Sequence, residues 1–215
     1  MNARPICRGF PPTMKNISKA CLAATVLFAV AVLYRLGLGL YGSHAGFLSN
    51  FAPLAAIALC GGIYLPKKLA LPLPLAALFL SDLVLNAHYH APLVDVQMVS
   101  RYFALGLVVA LGFALRGRAR FITVLPASVG GSLLFYVITN TGSWIDQPGY
   151  AKTFAGWVQA LTIGLPGYPP TWSFFRNSLA SDVLFSLLFV ACMALTSRRE
   201  TATDSAGLVS SPVTR

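Results

Sequence analysis

The stretch FFRNSLASDVLFS, residues 174–186, is the first half of the last long apolar run of the chain. The whole run, about 172–195, is long enough for a transmembrane helix, which needs about 20 residues. It nevertheless contains Asp182, and an ionised carboxylate in hydrocarbon costs several kcal/mol unless it is paired, hydrated or protonated. Ser178, Asp182 and Ser186 are spaced by four residues, which predicts one polar stripe along a helix. Such a stripe predicts polar partners on other helices.

The composition of the whole chain agrees with a membrane location for this run. Of the 215 residues, 56% are hydrophobic and only 10% are charged, which excludes an ordinary soluble domain. The formal net charge of +10 raises the question of nucleic-acid binding, and the distribution of the basic residues answers it below.

Six apolar runs predict an all-α, polytopic membrane helix bundle with six transmembrane helices. They cover about 17–34, 50–65, 69–87, 98–115, 121–144 and 172–195. A cleaved signal peptide is the alternative for the first run, because Ala29-Val30-Ala31 resembles a cleavage site. Between the fifth and sixth runs, an apolar face from Phe154 to Leu165 predicts a short interfacial helix. We expect residues 1–16 to be a disordered basic tail, 17–195 the transmembrane domain and 196–215 a disordered cytoplasmic tail.

The basic residues predict the orientation of the bundle. With the N-terminus in the cytoplasm, twelve of the sixteen Lys and Arg residues fall in cytoplasmic segments, as the positive-inside rule requires. We therefore expect both termini in the cytoplasm. This distribution also explains the net charge, so the sequence predicts the lipid bilayer and no nucleic acid as partner.

In this topology the intramembrane polar residues gather toward the outer leaflet. In hydrocarbon they need internal partners or water, which favours a bundle whose outer half encloses a polar pocket. We expect acid–base pairs in which Arg101 or Arg35 contacts Asp82 or Asp182. The predicted ligand-binding residues are Arg35, Asn50, Asp82, Arg101, Asn140, Arg176, Asn177 and Asp182.

Three other interpretations of the polar residues stay open at this point. Interhelical polar contacts are common in membrane bundles, so the set also fits a scaffold or assembly protein without a ligand. Asp82 and Asp182 fit a carboxylate dyad that shares a proton, as in aspartic peptidases. The histidines His44, His88 and His90 with Asp95 fit an external zinc or nickel site. We expect neither of the last two, and so predict no catalytic residue, no metal and no cofactor.

Four segments carry a resemblance to a known family. They are NFAPLAAIALCGG at 50–62, LSDL at 80–83, FYVITNTGSW at 135–144 and FRNSLASD at 175–182. Over about residues 35–195 the chain resembles an uncharacterised bacterial multi-span family, a domain of unknown function. More distantly, that family is similar to the substrate-binding S components of energy-coupling-factor vitamin transporters.

The S components set several expectations. They imply a bacterial cytoplasmic (inner) membrane protein that binds a small molecule near the outer face and works with a transmembrane coupling subunit and ATPases. By this resemblance Ala20 and Ala24 match a contact with the coupling subunit, and Gly37–Ser49 matches a lid over the ligand. We therefore expect a small-molecule-binding uptake component that is not an enzyme, with a scaffold protein as the alternative.

Overall fold

Every element in the described part of the chain is a helix. The computed structural model describes residues 26, 29–30, 32–37, 39–40, 51–90, 92 and 94–209, with the backbone alone for 196–209. Residues 32–37 and 39–40 are helical, so the segment that the resemblance matches to a lid begins with helical residues. Asn50 and most of the predicted lid lie outside the described residues, as do both residues of the predicted Ala20 and Ala24 contact.

From residue 51 onward the described chain forms seven helices. They are α1 (Leu54–Tyr64), α2 (Lys67–Ala70), α3 (Pro72–Tyr89), α4 (Val96–Ala114), α5 (Phe121–Asp146), α6 (Phe154–Leu161) and α7 (Thr171–Val209). The backbone of α7 continues past Leu195 into the segment for which the sequence predicts a disordered tail.

Four of the described helical segments are long and apolar enough to cross a bilayer. They cover Lys67–Tyr89, Val96–Ala114, Phe121–Asp146 and Thr171–Leu195, close to the third to sixth predicted spans, so the all-α membrane bundle is confirmed in this part. The second predicted span contains only the 11 residues of α1. This helix begins at Leu54, directly after Pro53, whose ring suits the start of a helix better than its interior.

The short helix α1 lies in the middle of the bundle. It packs against α4, α5 and α7, and eight of its residues are buried. Most of these are alanine, glycine or cysteine: Ala55, Ala56, Ala58, Cys60, Gly61 and Gly62. Small side chains let neighbouring backbones approach closely in a membrane.

The closest approach joins α1 to α4. A Cβ atom built on Gly112 would lie 2.8 Å from the Cα atom of Gly62, and one built on Gly62 would lie 2.9 Å from the Cα atom of Gly112. Both distances are too short for real Cβ contacts, and backbone atoms cannot move aside as a flexible side chain can. The two glycines therefore determine how closely α1 and α4 pack.

A short helix, α6, is present between the fifth and sixth predicted spans, where the sequence predicts an interfacial helix. The Thr153 side chain caps it by accepting a hydrogen bond from the Gly156 N–H at 3.2 Å. Two side chains then connect α6 to α5: Trp157 Nε1 donates to Thr141 Oγ1 at 2.9 Å, and the Tyr136 hydroxyl donates to the Leu161 carbonyl. The segment between α5 and α7 is thus held against the C-terminal half of α5.

We predict that Gly112→Ala destabilises the bundle by about 1–3 kcal/mol, because the added methyl group overpacks the α1–α4 crossing. The measurement is the thermal unfolding midpoint of the purified protein in detergent. Gly106→Ala is the matched control on the same helix, since a Cβ there meets nothing within 4 Å. Equal midpoints for the two variants would contradict the prediction.

Candidate ligand-binding site

The amino end of α1 lacks a cap of its own. Its N-cap residue is Pro53, and no side chain at that position accepts a hydrogen bond from the helix. Asp182 of α7 takes this role from across the bundle, because the Ala56 N–H donates to Asp182 Oδ1 at 2.9 Å. A carboxylate at a helix N-terminus satisfies an otherwise unpaired N–H group and complements the helix dipole.

Asp182 also belongs to a polar contact line between α5 and α7. Ser132 Oγ donates to Asp182 Oδ2 at 2.7 Å, and one helical turn away Ser186 Oγ donates to Ser128 Oγ at 3.1 Å. All four side chains are buried. The polar stripe predicted for the last span therefore meets a matching stripe on α5, where the four-residue spacing of Ser128 and Ser132 was the signal in the sequence.

Asp82 of α3 holds two guanidinium groups. Arg35 Nη2 lies 2.6 Å from Asp82 Oδ1, and Arg101 Nη2 lies 3.4 Å from Asp82 Oδ2. Arg35 Nη1 also donates to Ser81 Oγ. The pairing of arginine with Asp82 is thus confirmed. Of the two acids, Asp82 is therefore the one that pairs with arginine, whereas Asp182 accepts hydrogen bonds from Ala56 and Ser132.

A cavity of about 280 Å³ lies next to these contacts. Four of the predicted site residues line it: Arg35, Arg101, Asn140 and Asp182. The remaining lining includes Gln97 at the start of α4, Ser143 near the end of α5 and Thr171 at the start of α7, together with Phe135, Phe174 and Phe175. The cavity therefore occupies one end of the bundle, with Asp182 and the start of α1 at its deeper side.

The other predicted site residues are not in the lining. Asp82 contacts Arg35 and Arg101, which both line the cavity, but Asp82 itself is not part of the lining. Arg176 is exposed, its guanidinium stacks on Trp172 at 5.7 Å and its Nε donates to Asn177 Oδ1 at 3.3 Å. Helix geometry explains the position of Arg176. Ser178 lines the cavity, and a side chain two residues earlier points about 200° away around the helix.

The sequence did not identify several polar residues of the cavity wall. Gln97 Nε2 donates to Ser143 Oγ at 2.6 Å, which joins the start of α4 to the end of α5. Thr139 also lines the cavity and donates to the Phe135 carbonyl at 2.9 Å. None of these residues is charged, so hydropathy alone gives no reason to select them.

The histidine-based metal site finds no support in the described part of the chain. No group of three or more His, Cys, Asp or Glu side chains able to hold a metal ion occurs there, and His44 lies outside it. Asp95 instead caps α4, since its Oδ1 accepts a hydrogen bond from the Met98 N–H at 2.5 Å.

We predict that Asp182→Ala lowers stability more than Ser132→Ala does. The first change leaves the Ala56 N–H and the Ser132 hydroxyl without an acceptor, and each unsatisfied buried group costs about 1–3 kcal/mol. Thermal midpoints of both single variants and the double variant give the coupling. Effects that add without coupling would contradict a direct Ser132–Asp182 bond.

Ser181→Ala is the control for this set. Ser181 lies next to Asp182 and is equally buried, but its Oγ has no hydrogen-bond partner within the described residues. We therefore expect Ser181→Ala to leave the midpoint unchanged or to raise it slightly.

Comparison with known proteins gives one match. No curated protein and no solved structure matches the chain, so the expected similarity to S components has no support from these comparisons. One family model matches residues 15–204, which is most of the 215 residues. The chain belongs to the family of unknown function DUF6580.

Proposed function

We propose that this membrane protein is the small-molecule-binding component of an uptake system. The observation that carries the proposal is the cavity, since Arg35, Arg101, Asn140 and Asp182 come from separate parts of the chain and line one space of about 280 Å³. Small-molecule sites are concave, a few well-placed polar groups orient the ligand in them, and their volumes run from about 300 Å³ upward. This cavity lies at the lower limit of that range and has a polar lining, which suits a small molecule with polar groups. A small polar ligand fits this description.

The proposed topology has six spans with both termini in the cytoplasm of a bacterium. The positions of the exposed basic residues support this orientation. Exposed basic residues follow the C-terminal ends of α1 and α4, at the opposite end of the bundle from the cavity: Lys67 and Lys68 after α1, and Arg118 and Arg120 after α4. Arg116 links the two helices there by donating to the Gly62 carbonyl at 2.7 Å and to the Leu65 carbonyl at 2.5 Å. The positive-inside rule then turns the cavity toward the outer face.

The contacts of the two acids favour binding over a carboxylate dyad. A dyad needs both carboxyl groups within reach of each other or of one water molecule. Asp82 instead contacts Arg35 and Arg101, whereas Asp182 contacts Ala56 and Ser132. We therefore propose a binding role without enzymatic activity for these residues.

A scaffold or assembly protein is the second candidate. One observation favours it: both oxygens of Asp82 and of Asp182 already accept hydrogen bonds or ion pairs from the chain itself. In that case the polar residues only hold the helices together. The two candidates differ in whether the purified protein retains a small molecule.

The proposed partners are the lipid bilayer, a small polar ligand and an energising membrane complex. The energising complex, a coupling subunit with ATPases, comes only from the resemblance described above. The basic residues follow the membrane topology, so nucleic acid is not part of the proposal.

We predict that Asp146→Cys reacts with a membrane-impermeant maleimide added to intact spheroplasts, whereas Lys68→Cys reacts only after permeabilisation. Both residues are exposed and lie at opposite ends of the bundle. Each is tested alone after replacement of the four native cysteines. Labelling in the reverse pattern would contradict the proposed orientation.

We predict that gently purified protein retains a small molecule that mass spectrometry of the extract identifies, and that Ala52→Phe abolishes this retention. Ala52 lines the cavity, so a phenyl ring there fills part of its volume. Ala110→Phe is the matched control, because Ala110 is exposed on α4 and does not line the cavity.

The same preparation tests the partners. Co-purifying ATPase subunits would support energised uptake. A wild-type protein that retains nothing, or the same retention in Ala52→Phe as in wild type, would favour the scaffold.

A further inference from the structure

The charge that the cavity presents to a ligand is positive. Arg101 and Arg35 both line the cavity, with side chains that are 25% and 16% exposed. Asp182 also lines it but is only 2% exposed, and both of its oxygens accept hydrogen bonds from the protein. The guanidinium groups are therefore the charged groups that a ligand can reach.

Of the two arginines, Arg101 has the larger unused hydrogen-bonding capacity. A guanidinium group carries five N–H donors. In the described part of the chain Arg101 makes a single hydrogen bond, the long contact of 3.4 Å to Asp82, and its Nε is buried without a partner. Arg35 uses both terminal nitrogens, for Ser81 and for Asp82. Arg35 is thus held in place by α3, while Arg101 keeps donors for another acceptor.

Several neutral polar side chains of the cavity already donate within the chain. Thr139 Oγ1 donates to the Phe135 carbonyl and Asn140 Nδ2 to the Tyr136 carbonyl, both at 2.9 Å. Gln97 Nε2 donates to Ser143 Oγ at 2.6 Å. A ligand that needs hydrogen-bond donors therefore finds them mainly at Arg101.

The lining also contains apolar side chains. Phe135, Phe174, Phe175 and Leu54 contribute to it. Aromatic side chains bind flat apolar groups through large contact areas. The volume of about 280 Å³ restricts the ligand to a small molecule.

We propose that the cavity selects a small organic anion, one carboxylate or phosphate group on an apolar or aromatic body, and that Arg101 is the residue that binds the anionic group. A guanidinium group matches both anions through paired N–H donors. This inference rests on the proposed function and specifies the substrate class. An anionic group on an apolar body occurs both in a soluble organic acid and in a phospholipid, which joins an anionic headgroup to acyl chains. We assign the cavity to the soluble acid.

The test compares three probes of similar size on the full-length protein in detergent. Benzoate and phenyl phosphate carry the anion, and benzylamine carries a cation on the same ring. We expect the two anions to raise the thermal midpoint in a concentration-dependent manner and benzylamine to have no effect. This comparison needs no variant, so it does not depend on the folding of an altered protein.

Variants then identify the residue. We expect Arg101→Gln to weaken the apparent affinity for benzoate by about 10- to 100-fold, since a hydrogen bond to a charged group contributes about 1.5–3 kcal/mol. Arg101→Lys, which keeps the charge but loses the paired donors, should give a smaller loss. Arg118→Gln is the control, because Arg118 is exposed at the other end of the bundle. Equal affinity in Arg101→Gln and wild type would overturn the role of Arg101.

Other outcomes separate this inference from the proposed function. Benzylamine that stabilises while benzoate does not, or a retained natural ligand that is cationic, would overturn the anion and leave the uptake component intact. An anionic phospholipid that is retained by wild type, lost in Arg101→Gln and not displaced by benzoate would overturn the soluble acid. If no probe binds and nothing is retained, both proposals fail together.

Discussion

The bundle depends on how the buried amino end of α1 is satisfied. A helix begins with N–H groups that have no partner within the helix, and in hydrocarbon no water replaces that partner. Pro53 offers no side-chain acceptor, so the acceptor comes from Asp182 on α7, with Ser132 of α5 on its second oxygen. One carboxylate thereby joins three helices. Without it, the position of α1 relative to α5 and α7 would lose its main polar determinant.

The two buried acids have different electrostatic tasks. Asp182 neutralises the positive end of a helix dipole, whereas Asp82 forms ion pairs with Arg35 and Arg101. Because these tasks are separate, two guanidinium groups share a single carboxylate, and that cluster has one surplus positive charge. The surplus lies beside a cavity, in a region where an unpaired charge is costly. This arrangement supports the proposed uptake component with an anionic ligand over the scaffold.

Hydropathy and helical spacing predict much of this architecture. Long apolar runs identify four of the described helical segments, and the spacing of Ser178, Asp182 and Ser186 identifies the face of α7 that meets α5. The choice of partner for Asp182 was not predictable. A polar stripe shows that an acid needs donors, but a guanidinium group and a helix N-terminus satisfy that need equally well. Arg176 and Asn177 do not line the cavity for a related reason, because residues close in sequence point in different directions around a helix.

The shortness of α1 has a consequence for the distance a solute would travel. Its 11 residues extend about 16 Å at 1.5 Å per residue, whereas the hydrocarbon core is about 30 Å thick. In the proposed orientation the cavity lies above the amino end of this helix, in the part of the bilayer that α1 would leave unfilled. A solute bound by the proposed uptake component would there have crossed close to half of the hydrophobic barrier, and the closely packed α1–α4 pair at Gly62 and Gly112 would lie between it and the other side.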